Sequence, residues 1–158
     1  MNKLLISALA VGLAGQGIYA NSTQWGNVAF QKSNINEDLV IMGSLSLDDV
    51  TVNRPTEVQG TMNTQNSIFK KIVTIYGSLQ SSQTDFNESI YLYGDRAEFE
   101  GGRLNHLLIQ ASKNALVTLK NGVEIMGDIV FKGDHGTVVV DQSVVIHGKV
   151  IGATIRRV

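Results

Sequence analysis

The 158-residue chain has no cysteine. That excludes disulfide frameworks, Cys-ligated zinc, iron–sulfur clusters, thiol nucleophiles and a lipoprotein acyl anchor. It has a single proline, and aromatic residues make up only 6% of it, so its turns fall to Asn and to its 16 glycines. Charge of one sign is also lacking. Thirteen Lys+Arg stand against 14 Asp+Glu, a formal net charge of −1, so no basic excess is present to hold nucleic acid by its phosphates. There is no P-loop, no G-x-S-x-G, no H-E-x-x-H and no dinucleotide fingerprint. An apolar fraction of 43% supports one domain with a buried core and excludes disorder along the whole length.

The first 20 residues read as a secretory signal peptide. Lys3 supplies the positive n-region, Leu4 to Leu13 is apolar except for Ser7, and cleavage is expected after Ala20. The run is too short for a stable transmembrane helix, so no transmembrane segment is expected in a mature chain starting at Asn21. The expected location is the periplasm or the extracellular space.

Repetition organises the remainder. IMGS, VQGT, IYGS, LYGD and IQAS place Gly43, Gly60, Gly77, Gly94 and Ala111 at four consecutive spacings of 17. IMGD with Gly127 and IHGK with Gly148 extend the series to seven copies. Two residues before each glycine stand Ile41, Val58, Ile75, Leu92, Ile109, Ile125 and Ile146, all aliphatic. Alternating apolar positions with β-branched enrichment and a small residue at the bend describe a half-buried strand. A strand recurring on a fixed ruler, unable to bury its inner face alone, builds a coil of stacked rungs. The expected fold is therefore all-β: a single-stranded right-handed parallel β-helix, a solenoid of about seven 17-residue rungs. A left-handed coil advances in hexapeptides, and the spacing of 17 breaks that register repeatedly, whereas a right-handed coil tolerates variable corners and so accepts spacings of 16, 17 and 21. A β-sandwich gives no reason for a fixed ruler. Residues 39–158 form the expected β-helix domain. Residues 21–38, with Trp25, Val28, Ala29 and Phe30, lack the ruler on this alignment and are a candidate cap over the first rung.

The string Ile146-His147-Gly148-Lys149-Val150-Ile151-Gly152-Ala153-Thr154-Ile155, within VVVDQSVVIHGKVIGATI, resembles the paired I-x-G-x-V-x-G-x-I strings of the bactofilin family. Bactofilins are bacterial polymer-forming β-helix proteins. The resemblance covers residues 39–155 and implies a short β-helix that assembles end to end without nucleotide.

Function on a solenoid usually lies along one face. On this alignment the outward column before the glycine reads Met42, Gln59, Tyr76, Tyr93, Gln110, Met126 and His147, and the next reads Val40, Glu57, Thr74, Tyr91, Leu108, Glu124 and Val145. Tyr76, Tyr91, Tyr93 and Gln110 form the candidate binding patch for cell-envelope polysaccharide or a protein, with mutual stacking as the alternative account of the tyrosines. Val144, Ile146, Val150 and Ile155 form the candidate self-association layer. Arg96 and Lys113 fall in a normally apolar column, which implies that the coil splays open there or puts those side chains at an edge. Asp95 and Glu98 carry the alternative from another class, a polysaccharide lyase or glycosidase, with Asp48, Asp49, Asp85, Glu88 and Glu100 as further turn carboxylates. His106, His135 and His147 lie in different phases of the ruler without metal-ligand spacing. No catalytic residue, metal or cofactor is expected. The expected function is a structural, self-assembling or envelope-binding role without enzymatic activity.

Overall fold

The computed structural model describes residues 11–12, 23–111, 114–133 and 136–158. The expected signal peptide, apart from the strand Val11–Gly12, lies outside them. So do the expected start at Asn21, and Lys113, Asp134 and His135. Among the described residues there is no helix, and every strand pairs in parallel within one sheet wound into eight rungs.

Gln24–Ile35 is the first rung and Leu39–Val52 the second, each an almost continuous strand. From the third rung the corners interrupt the strand, and three faces separate. The third rung runs Thr56–Gln59, Thr61–Gln65 and Ile68–Phe69, and the fourth Val73–Ile75, Ser78–Ser82 and Asp85–Phe86. The fifth to seventh rungs repeat the scheme, ending with Val145–Ile146 on the third face. The eighth has only Val150–Ile151 on the first face and Thr154–Arg157 on the second.

Period-two alternation fills the interior. The first face sends inward Leu39 and Ile41, then Val73 and Ile75, Ile90 and Leu92, Leu107 and Ile109, all buried. The second stacks Leu45, Met62, Leu79, Ala97, Val117 and Val138 in register. The third stacks Val52, Phe69, Phe86, Leu104 and Ile125. The Phe69 and Phe86 rings lie parallel with centroids 4.9 Å apart, and Phe99 meets Phe86 edge-on at 6.2 Å. Neighbours above and below satisfy the backbone of each interior rung, and burial of each large apolar side chain contributes roughly 1.5–3 kcal/mol.

The ruler begins one copy earlier than the alignment placed it. Gly26 pairs with Gly43 at the same spacing of 17, so the candidate cap is itself a rung in register with the next. Gly127 and Gly148 belong to a different corner. Ile125 continues the column of Phe86 and Leu104 on the third face, and Ile146 follows it. The first-face column after Leu107 continues instead through Ile129 and Val150. Arg96 does not enter the core. Asp95 adds one residue after Gly94, which turns the exposed Arg96 outward beside Ser78 and puts Ala97 over Leu79. In the next rung Val117 holds that column. The coil therefore has no apolar column broken by charge at these rungs.

Candidate binding patch and terminal layer

The first face carries the tyrosines because its strands turn alternate residues outward. Tyr76 and Tyr93 occupy the position before the stacked glycines in successive rungs and are 46% and 40% exposed. Their rings stack with centroids 4.7 Å apart and an interplanar angle of 12°. Tyr91 lies two residues from Tyr93, half-buried, and Gln110 follows Tyr93 one rung on, so all four expected residues share one surface. Stacking turns the inner faces of Tyr76 and Tyr93 toward each other. A sugar ring then has only the outer faces and edges of the pair, and the stack itself stabilises the sheet.

The real outward column is Trp25, Met42, Gln59, Tyr76, Tyr93, Gln110 and Lys132. Trp25, 61% exposed, was hidden by the missed first rung. Met126 and His147 leave this column for the corner after the third face, as their backbone bonds to Leu104 and Ile125 show. Glu124 and Val145 likewise leave the Tyr91 column, where Val130 and Ile151 stand. Beside the tyrosines the bare glycines form the floor of an open groove of about 620 Å³, bordered by Tyr93 and Gln110 on one side and by Thr61, Ser78 and Asp95 on the other. Thr61 and Ser78 are hydrogen-bonded to each other at 3.3 Å.

Four of the candidate carboxylates, Asp85, Glu88, Glu98 and Glu100, have partners within the coil. Lys120 Nζ lies 2.6 Å from Glu98 and 3.6 Å from Glu100, and the Glu98 hydrogen bond raises the lysine pKa above its ordinary value. Asp85 accepts the Arg103 N–H at 2.9 Å, and Glu88 pairs with Lys71 at 3.1 Å. Asp95 is an exposed corner residue. On the third face, Glu124 joins His147 Nε2 at 2.9 Å and Arg103 Nε at 3.2 Å. The His147 hydrogen bond, then the Arg103 one, lowers the Glu124 pKa. Sequence reasoning missed this cluster because it assigned Glu124 and His147 to another face. His106 Nδ1 accepts the Asp128 N–H at 3.0 Å. Among the described residues no three His, Cys, Asp or Glu side chains are placed to hold a metal ion, and no helix is long and apolar enough to cross a membrane.

At the C-terminal end the four expected association residues come together from two rungs. Val144 and Ile146 close the third face of the seventh rung, and Val150 and Ile155 belong to the eighth. Burial falls off toward the end: Val144 is buried, Ile146 and Val150 are half-buried and Ile155 is 44% exposed. The strand Val145–Ile146 pairs with Glu124–Ile125 and, among the described residues, with no strand beyond it. Arg157 takes the core column held by Phe99, Leu119 and Val140 in earlier rungs. No family model, curated protein or solved structure matches the chain.

Proposed function

We propose that this protein is an exported, non-enzymatic scaffold whose copies associate through the C-terminal end of the coil and attach to the cell envelope. One observation carries the reading: among the described residues no strand pairs beyond Val145–Ile146, Val150–Ile151 and Thr154–Arg157, and these edges lie beside an apolar layer of Val144, Ile146, Val150 and Ile155. Open edges over apolar side chains are templates for another chain. The resemblance to bactofilins supports end-to-end assembly, and the signal-like leader supports export. Arg157 in a core column, with Arg156 beside it, places positive charge on the contact and controls it by like-charge repulsion.

Sedimentation velocity over a concentration series tests the association. The expected result is concentration-dependent growth, suppressed by Ile155→Lys or Val150→Lys and promoted by deleting Arg156 and Arg157. A monomer at every concentration, with the arginine deletion included, overturns the scaffold. Intact-mass analysis of exported protein tests the address: a chain beginning at Asn21 is expected, and retention of Met1 removes the claim.

A further inference from the structure

The second face has a surface unlike the rest of the molecule. In its first four rungs the outward positions are Asn27, Ala29 and Gln31, then Ser44, Ser46 and Asp48, then Thr61, Asn63 and Gln65, then Ser78, Gln80 and Ser82. Asp48 is the one charged residue among them, and no side chain is aromatic or larger than Ala among the apolar ones. A groove of about 510 Å³ runs along this face, with Ser46, Asn63 and Gln80 on one wall and Gln31, Gln65 and Ser82 on the other. The walls are two residues apart along each strand, about 7 Å, and successive rungs add about 4.8 Å each. Five rungs therefore make a straight channel on the order of 20 Å long. Glu98 and Glu100 end it.

Apart from Thr61 and Ser78, these polar side chains face the channel without hydrogen-bond partners among the described residues. Asn36 and Asn53 bond to each other across rungs at 2.7 Å, and Thr61 and Ser78 do so at the glycine corner. Ser67 and Thr84 donate their hydroxyls to the backbone carbonyls of Gln65 and Ser82, but among the described residues no hydrogen bond is made by the side chains of Gln31, Ser46, Asn63, Gln65, Gln80 or Ser82. Each amide offers two donors and an acceptor, and each hydroxyl both roles. Sugar hydroxyls need that mixture. An anionic polymer is disfavoured by Asp48, Glu98 and Glu100. An extended peptide finds no free backbone groups here, because the rungs above and below occupy them.

We infer that this groove binds a linear, uncharged glycan laid along the coil axis, recognised through the amides and hydroxyls of the second to fourth rungs. The site lies around the glycine corner from the tyrosine patch and does not depend on end-to-end association. Hydrogen bonds at a solvated surface contribute little each, so affinity for a short oligosaccharide is roughly millimolar.

The test uses the ¹⁵N-labelled Ile155→Lys chain, so that assembly plays no part. Cellohexaose, xylohexaose and chitohexaose are titrated separately to ~10 mM, well above the expected dissociation constant. At least one is expected to shift the side-chain NH₂ resonances of Asn63, Gln65 and Gln80, and Asn63→Ala with Gln80→Ala is expected to weaken that probe about tenfold. The inference is overturned if all three probes leave these resonances unmoved, or if the shifts map to Tyr76 and Tyr93 instead. An equal response to anionic hyaluronan overturns the neutral assignment.

Discussion

Gly77 lies so close over Gly60 that a Cβ added to Gly77 would stand 2.1 Å from the Gly60 carbonyl oxygen. The same contact recurs between Gly60 and Gly43 at 2.1 Å and between Gly94 and Gly77 at 1.8 Å. The obstacle is backbone held by the sheet, so it cannot yield as a flexible side chain would. Gly60→Ala and Gly77→Ala are expected to cost more than ~3 kcal/mol or to abolish folding, as strain at a special backbone position together with a clash requires. Gly122 has φ +77 but open space around its Cβ position. Gly122→Ala is expected to cost only about 1–2 kcal/mol. Urea denaturation of the three variants checks the order; equal costs would contradict the stacked-backbone account.

A second ladder runs along the corner between the second and third faces. Lys32, Asp49, Asn66 and Gln83 all have positive φ, between 45° and 57°. Their spacing is also 17. Left-handed backbone costs a residue with a Cβ roughly 1–2 kcal/mol, least for Asn and Asp. Lys32→Gly and Gln83→Gly are therefore expected to raise stability by about 0.5–1 kcal/mol, with a smaller gain from Asn66→Gly. Gln83→Val is expected to lower it by about 1–2 kcal/mol. Thermal melts of the four variants check the signs.

Leu92 and Tyr93 are adjacent in sequence but face opposite sides of the first-face strand, 1% and 40% exposed respectively. Leu92→Asp puts an unpaired charge into the stacked core and is expected to prevent folding. Tyr93→Ser removes the ring stacked on Tyr76 and is expected to cost about 1 kcal/mol. Circular dichroism of both variants checks the phase of the strand, and equal damage would reverse it.

Most of the architecture was readable in the sequence because a solenoid repeats its contacts as well as its strands. The glycines at 43, 60, 77 and 94 recur because each excludes a Cβ above the last, and that leaves one conspicuous letter. The corner ladder was invisible: Lys, Asp, Asn and Gln share a backbone angle and no common chemistry. The misplacement of Gly127 and Gly148 has a related cause. Ile-x-Gly on the third face reads the same as Ile-x-Gly on the first, and the spacing between paired rungs grows from 17 to 22 at Leu107 and Ile129 and to 21 at Ile129 and Val150, which moves the phase between them. Asp95 did the same on a smaller scale for Arg96. Of the candidate patch, the sequence placed Tyr76, Tyr91, Tyr93 and Gln110 on one surface, since they lie in the undisturbed part of the ruler. It missed the amide groove because uncharged polar residues on an outward column look like ordinary solvated surface.

The last rungs carry an acid-sensitive corner. Asp141 accepts the Asn121 N–H at 2.7 Å and the Ser143 N–H at 2.8 Å, and it also accepts the Ser143 hydroxyl. The Ser143 hydroxyl first, then the Asn121 N–H, hold its pKa below the ordinary aspartate value. Glu124 is lowered as well, by His147 and then Arg103. A depressed folded pKa means the unfolded chain binds the proton more readily, so each group contributes stability above its unfolded pKa, about 3.9 for Asp and 4.3 for Glu. That contribution is lost as the pH falls through the folded value. Both groups tie the sixth rung to the seventh, so the C-terminal end should loosen before the glycine-stacked rungs as acid is added. The expected outcome is a fall in urea midpoint between about pH 5 and pH 2, made shallower by Asp141→Asn and again by adding Glu124→Gln. Backbone amide resonances of residues 136–158 should broaden or shift at a higher pH than those of residues 56–92. An Asp141→Asn chain with an unchanged pH profile would show that this corner contributes nothing to acid stability.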